Sequence, residues 1–391
     1  MFFFHFISFF LLFFDVHVPG LPDGVGSSVI MLPIFILIFL IKPNFLRLSL
    51  MLEVFSPLFL VHGIVVIYVL LRLILGGAVE LSMLLAVAKS LILFFGVFLY
   101  WVVSDFPGNQ TPRMTANVFF TNALICFVAG SIPFLLNYIR LFQFSSINEN
   151  FIPYRNAFIS GSGFFSVGSA YGMAFLFLSY SFLIADKRVS VLRIVQFVAI
   201  FAAGFIAART SILALVFVGV MLFILRPSSF WKMFFVMALS LLAFVTMPGL
   251  DKYNAWLFEL FVKGKESNSI QVLMSDMFFI PSLDTLFFGD GIHSAIEGGA
   301  YYGGSDVGYL RNVFFGGVPY LLIIMMFPVL MLFKLWTVNR VFACLLVALM
   351  LAFHAKGTFF YNNSQGMAVF YMIYAFYSLK NSSLNRSLIK K

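Results

Sequence analysis

The sequence predicts an all-α, polytopic integral membrane helical bundle of about 12 transmembrane helices, forming a single membrane domain over 1–391. Three observations carry this. First, 62% of the 391 residues are hydrophobic and only 10% are Asp, Glu, Lys or Arg, whereas a water-soluble domain is about 45–50% apolar and about 25% charged. So few charges cannot cover a surface in water, and lipid must be the solvent. Second, the apolar runs are continuous and span-length, as in Leu81–Val103. A helical span takes roughly 20 residues, whereas a β-barrel would show short alternating segments. Third, the charges fall between the runs and are sorted by sign. This composition excludes a cytosolic enzyme, a secreted disulfide scaffold and a disordered tail. The two cysteines, Cys126 and Cys344, sit inside apolar runs and read as small core residues.

The predicted spans lie near 2–17, 29–41, 50–75, 81–103, 116–139, 169–185, 191–208, 210–225, 230–247, 313–333, 341–355 and 366–379. The Phe-rich start, Phe2–Phe14, has no basic flank before it and no small-residue cleavage site after it. It therefore reads as a first span and not as a signal peptide. Loops on the cytoplasmic side should hold the excess Lys and Arg. Placing both termini inside gives that side Lys42, Arg47, Arg113, Lys187, Arg188, Arg193, Arg226, Lys232, Lys334, Arg340, Lys380, Arg386, Lys390 and Lys391, which is 14 of the 24 basic residues. The stretch 191–225 is basic at both ends, so both ends belong on one side and the stretch must fold as a hairpin. Its tip is Ala208-Arg209-Thr210-Ser211. In one long span Arg209 would instead sit near the bilayer centre, at a cost of about 2.5–3.5 kcal/mol.

Two outer segments stand out, 140–168 and 248–312. The second holds Asp251, Glu259, Glu266, Asp276, Asp284, Asp290, Glu297 and Asp306, eight of the 15 acidic residues. A loop this long is usually functional or disordered. Its apolar stretches, such as Trp256-Leu257-Phe258, predict short ordered or interfacial helices within it.

No GxxxxGK[ST] is present, so the chain carries no ATP-hydrolysing phosphate loop. HExxH and paired CxxC are absent as well, leaving no strong zinc signal. No Asp-x-Asp pair is available to clasp the metal of a nucleotide sugar. What remains on the outer side is a set of cations: Arg140, Arg155, Arg209, Arg311 and Lys356. An arginine fork holds phosphate oxygens in two-point contact, so five cations near one face suit a lipid pyrophosphate. The plainer alternative is that each pairs with a carboxylate or reaches up to lipid headgroups.

The densest motif is Phe288-Gly289-Asp290-Gly291-Ile292-His293, followed by Gly303-Gly304-Ser305-Asp306-Val307-Gly308-Tyr309-Leu310-Arg311 and Phe315-Gly316-Gly317. Its glycines permit tight turns and close backbone approach. Asp306 stands just before a span, where it could act as a base or simply cap the helix that follows. His293 has the intrinsic pKa for the same work, or is a hydrogen-bonded loop histidine. Lys89, Glu53 and His62 fall inside spans, where polar residues can mark transport pathways or merely pair with a neighbour.

These residues resemble the O-antigen polymerase (Wzy-type) family, within the wider O-antigen polymerase/ligase group. The resemblance rests on Gly289-Asp290-Gly291 with the Ser305–Leu310 and Phe315-Gly316-Gly317 stretches, and on Ala208-Arg209-Thr210-Ser211 at a hairpin tip. It rests also on Arg155 before a Gly/Ser-rich stretch, and on Lys356 ahead of Phe359-Phe360-Tyr361. It implies a C-type glycosyltransferase fold in the bacterial inner membrane, with both termini cytoplasmic and a large periplasmic loop. The implied activity is polymerisation for lipopolysaccharide biosynthesis: transfer of a growing glycan from undecaprenyl pyrophosphate to the next lipid-linked repeat unit. No ATP, metal or other cofactor is expected, because the donor is already activated. The implied partners are the undecaprenyl-pyrophosphate-linked oligosaccharide, membrane lipids and a polysaccharide chain-length regulator, with no nucleic acid. On this basis Arg155, Arg209, Arg311, Arg140, Lys356 and Tyr309 are expected at the substrate pyrophosphate. Asp306 is the first expected base and His293 the second. Two alternatives stay open: an O-antigen ligase, whose large-loop histidine His293-Ser294 resembles, and a flippase or secondary transporter.

Overall fold

The computed structural model describes residues 2–22, 25–75, 79–106, 108–144, 154–155, 157–161, 164–186, 190–245, 277–293, 302–361 and 363–381. Among these the chain is all-helical, with no strand beyond one isolated bridge between His17 and Gly26. Each predicted span position carries a helix: α1 Phe2–Phe14, α2 Ser27–Ile41, α3 Phe45–Ile74, α4 Leu81–Val103, α5 Thr111–Ser131 with the short α6 Pro133–Arg140, α7 Phe164–Ser179, α8 Val191–Ala207, α9 Ile212–Leu225 and α10 Pro227–Val245. After the short α11 Leu283–Phe288 come α12 Gly308–Trp336, α13 Arg340–Lys356 and α14 Ser364–Asn381. Among the described residues, five helices are long and apolar enough to cross a membrane: α3, α4, α5 with its preceding turn, α7 with its continuation, and α12. The sequence predicted one span over 116–139. Two helices stand there instead, because Pro133 forces Ile132 into extended geometry (φ −123°, ψ 98°).

α7 is the most buried of these five. Of its apolar window 94% is buried, against 39–50% for the other four. The reason lies in its small residues. A Cβ added at Gly168 would lie 2.4 Å from that of Ala208, and one at Gly172 would lie 2.7 Å from the Phe353 ring. Without those atoms, neighbouring helices close in on α7. The helix runs on through a π-helical turn, Tyr180–Ala185.

The stretch 191–225 turns back on itself, as its charges predicted. At one end Arg193 of α8 lies over the Phe182 ring at 4.5 Å, and Arg226 after α9 donates to the Leu183 carbonyl. At the other end Ser211 Oγ donates to the Gly168 carbonyl at 2.8 Å. Both arms therefore run along α7 in opposite directions, with Arg209 at the tip.

α12 is bent at Gly316 and Gly317, and Gly317 has φ +67°. The bend frees the carbonyls of Phe314 and Phe315, and the amides of Asp290 and Gly291 take them up at 2.5–3.2 Å. The two glycine motifs thus interlock. A Cβ on Gly289 (φ +65°) would lie 2.6 Å from the Gly316 and Gly317 nitrogens. Arg72, at the end of α3, clamps the joint by donating to the Phe288 and Gly289 carbonyls, the latter at 3.0 Å.

Two of the polar residues expected inside spans, Lys89 and His62, have partners. Lys89 lies 3.3 Å from the fully buried Asp15, which also accepts from Ser28 N and Oγ. His62 Nε2 is 2.9 Å from the Tyr371 hydroxyl. Cys126 is buried as expected, but Cys344 is exposed on α13. It therefore faces the surroundings of the bundle and is not a core residue. Of the predicted 248–312 loop, 248–276 and 294–301 lie outside the described residues, as do 145–153, 156, 162 and 163 of the 140–168 segment. α11 and a 3₁₀ turn at Tyr302–Gly304 are the short helices described within the long loop.

Candidate functional site

The end of α8, the start of α9 and the start of α7 meet at one end of the bundle. Two of the predicted cations meet there. Arg155 lies over the Phe164 ring at 4.3 Å, and its Nε donates to the Ala207 carbonyl at 3.1 Å. Its pKa is lowered to about 10, first by burial and second by the positive charge of Arg209. The depression by Arg209 means that the two guanidinium groups share one electrostatic environment. Like charges this close raise each other's energy, and an anion between them lowers it.

A second group lies at the junction of α12 and α13. Lys356 Nζ is 3.1 Å from Asp306 Oδ2. The other carboxylate oxygen, Oδ1, is buried with no hydrogen-bond partner among the described residues. The cap of α12 is Val307 and no side chain caps the helix, so Asp306 is not a capping residue. The close approach is made by Gly308, where a Cβ would lie 2.4 Å from the His354 carbonyl. His354 is fully buried. Its Nδ1 accepts from the amides of Phe359 (3.1 Å) and Phe360 (3.5 Å). The proton of the neutral ring therefore sits on Nε2, 3.0 Å from the Asn312 amide, whose oxygen must face it. Tyr309 packs edge-on to His354, and its hydroxyl donates to the Leu351 carbonyl at 3.0 Å. This network fixes the ends of α12 and α13, and with them Asp306 and Lys356.

Arg311 and His293 form a third contact. Arg311 Nε donates to the His293 carbonyl at 2.9 Å, and the His293 amide donates to Glu80 Oε2 at 2.8 Å. The ring is 3% exposed. Burial, then the positive charge of Arg311, push its pKa down to about 3. The imidazole is therefore neutral across the physiological range.

Adjacent residues of α7 join the first two groups. Phe164 lies under Arg155, while the Phe165 ring lies 3.0 Å from where a Cβ on Gly357 would stand, next to Lys356. Arg140 is apart: it ends α6, exposed, where its charge suits the helix C-terminus. The structure thus brings Arg155 to Arg209, Asp306 to Lys356 and Tyr309, and His293 to Arg311. Lys356 is the ion-pair partner of the expected base, a pairing that sequence reading left open. Glu80, Arg72, Asn312 and His354 were missed. Glu80 and Arg72 flank the α3–α4 connection on the side where the charge rule places an outer loop, which was the available signal. Asn312 and His354 gave none, because only the packing of α12 against α13 brings them together.

No family model, no curated protein and no solved structure matches this chain.

Proposed function

We propose that this chain is an O-antigen polymerase of the bacterial inner membrane. It spans the bilayer about twelve times as a C-type glycosyltransferase with both termini cytoplasmic, and it works at the periplasmic face without a metal. The observation that carries the reading is the pairing of Arg155 with Arg209 at one end of the bundle, linked through Phe164 and Phe165 to Asp306 and Lys356. In this reading the two guanidinium groups hold the diphosphate of a lipid-linked glycan and take up the charge that develops on it. The acceptor hydroxyl oxygen attacks the anomeric carbon of the donor. The bond from that carbon to the diphosphate oxygen breaks, and its electron pair leaves with undecaprenyl pyrophosphate. The hydroxyl proton passes to Asp306 through Oδ1, the oxygen that Lys356 does not hold.

One observation favours a second reading. The Asp15–Lys89 pair, with its carboxylate buried, is the kind of intramembrane charge found along transport routes, which suits a flippase or secondary carrier. Deleting the gene separates the possibilities. The polymerase reading expects lipid A core capped with single repeat units and loss of the ladder on a lipopolysaccharide gel. An unchanged ladder overturns it. Bare core with long glycan stranded on the carrier lipid would point to a ligase, and repeat units trapped on the cytoplasmic leaflet to the carrier.

A further inference from the structure

The segment 277–288 is turned inside out for a loop in water. Phe278, Phe279, Ile280, Leu283, Phe287 and Phe288 all face outward, the last two at 62% and 72% exposure. Its hydroxyls are spent on the protein itself. Thr285 is only 9% exposed, and its Oγ1 donates to Asp290 Oδ1 at 2.9 Å. Ser282 Oγ accepts from the Thr285 amide at 3.3 Å and lies 3.0 Å from Thr285 Oγ1. Asp284, in the first turn of α11, is the one charged residue of the segment. A loop surrounded by water buries its Phe and exposes its Thr, because water expels apolar area. Nor can the segment roll over to bury these rings while its joint to α12 holds, since the Asp290 and Gly291 amides are bonded to the Phe314 and Phe315 carbonyls.

The apolar surface continues on both flanks. Arg72 ties the Phe288 carbonyl to the end of α3, where Leu73, Ile74 and Leu75 are exposed. On the other side the Leu286 and Phe287 carbonyls lie 2.6–2.8 Å from where a Cβ on Gly317 would stand, beside the exposed Val318 of α12. Both α3 and α12 are long and apolar enough to cross a membrane, so their outward apolar flanks meet acyl chains. We infer that 278–288 is an interfacial anchor. It lies in the boundary between headgroups and acyl chains, in the leaflet at the end of the bundle where α12 begins. Its Phe and Leu side chains enter lipid, and Asp284 reaches the headgroup layer. Short helices with a large apolar face lie in a bilayer surface in this way. The occupant is lipid because the patch extends a lipid-facing flank. Standing directly ahead of Gly289-Asp290-Gly291 and His293, the anchor sets the height of that motif over the bilayer. The inference rests on the chain being a membrane protein and not on the polymerase reading.

Spin labelling of the full chain in nanodiscs of phosphatidylcholine and phosphatidylglycerol tests it. With Cys126 and Cys344 changed to Ser, Phe287→Cys carries a nitroxide. Its relaxation is measured with oxygen, which concentrates in lipid, and with a nickel chelate, which stays in water. Oxygen should act more strongly than the chelate and report a depth of about 5–10 Å into the boundary between headgroups and acyl chains. Chelate access equal to or above that of oxygen would put the segment in water and overturn the anchor. Protection from both reagents would mean that protein covers the patch, either a second copy or another part of this chain, and would overturn it equally. Should Phe287→Cys fail to accumulate, Ile280→Cys, at a residue 86% exposed, is judged by the same outcomes.

Discussion

Arg155 lies over the Phe164 ring and on the Ala207 carbonyl, two residues before Arg209, whose positive charge helps to lower the pKa of Arg155. In the polymerase reading, Arg209→Ala should cut chain extension by about 10²-fold or more with insertion and expression retained. Arg209→Lys should restore only part, because an ammonium lacks the planar fork. Ladder length on lipopolysaccharide gels checks both. His293 gives a prediction about pH. Its folded pKa, about 3, lies below the ordinary value of 6.5, so the buried ring is neutral wherever the protein is stable. The stability it contributes is full above about pH 6.5 and falls as the unfolded chain takes up protons between pH 6.5 and 3. Thermal melting in detergent should show that loss, and His293→Gln should flatten it. At this scale the sequence was legible where a residue is odd for its place, as with Arg209 in a minimal turn. It was silent on the Asp306–Lys356 pairing, because the two residues are joined only by the packing of α12 against α13.

The helices position these groups by close backbone approach. The tip of the α8–α9 hairpin rests against α7 at Gly168, where no side chain fits. Gly168→Val should push the tip and Arg209 away and, in the polymerase reading, give a protein that inserts normally but extends glycans poorly. Gly317→Ala is a test of fold. It places a side chain at φ +67° and against the Phe287 carbonyl, costing at least about 1–2 kcal/mol from the backbone alone, read as a lowered melting temperature. The hairpin was legible because charge at both of its ends left one topology. The break at Ile132 was missed because the apolar run continues through it, with Pro133 as the sole mark. The bend in α12 was half-legible: its glycines were noticed, but their partner, Gly289, is brought in by tertiary contact.

For the whole molecule, hydropathy and charge sorting reach furthest, since lipid constrains every helix in the same way. They give helical class and approximate spans, but not how deeply each helix is buried. The burial of α7 follows from its small residues, and its mean hydropathy is lower than that of the more exposed α3, α4 and α12. The proposed inner-membrane topology, with both termini cytoplasmic, has its own test. In a background with Cys126 and Cys344 changed to Ser, Arg140→Cys should react with a membrane-impermeant thiol reagent applied from the periplasm. Lys42→Cys, at a side chain 83% exposed, should react only after the inner membrane is opened. The reverse pattern would invert the protein and remove the outer site.

The joint between Gly289–Gly291 and the bend of α12 is fastened through main-chain amides and carbonyls. Replacing neighbouring side chains on the segment that follows leaves this fastening in place. In the polymerase reading, such a seam lets the external face be rewritten for a different sugar while its anchorage in the bilayer stays the same.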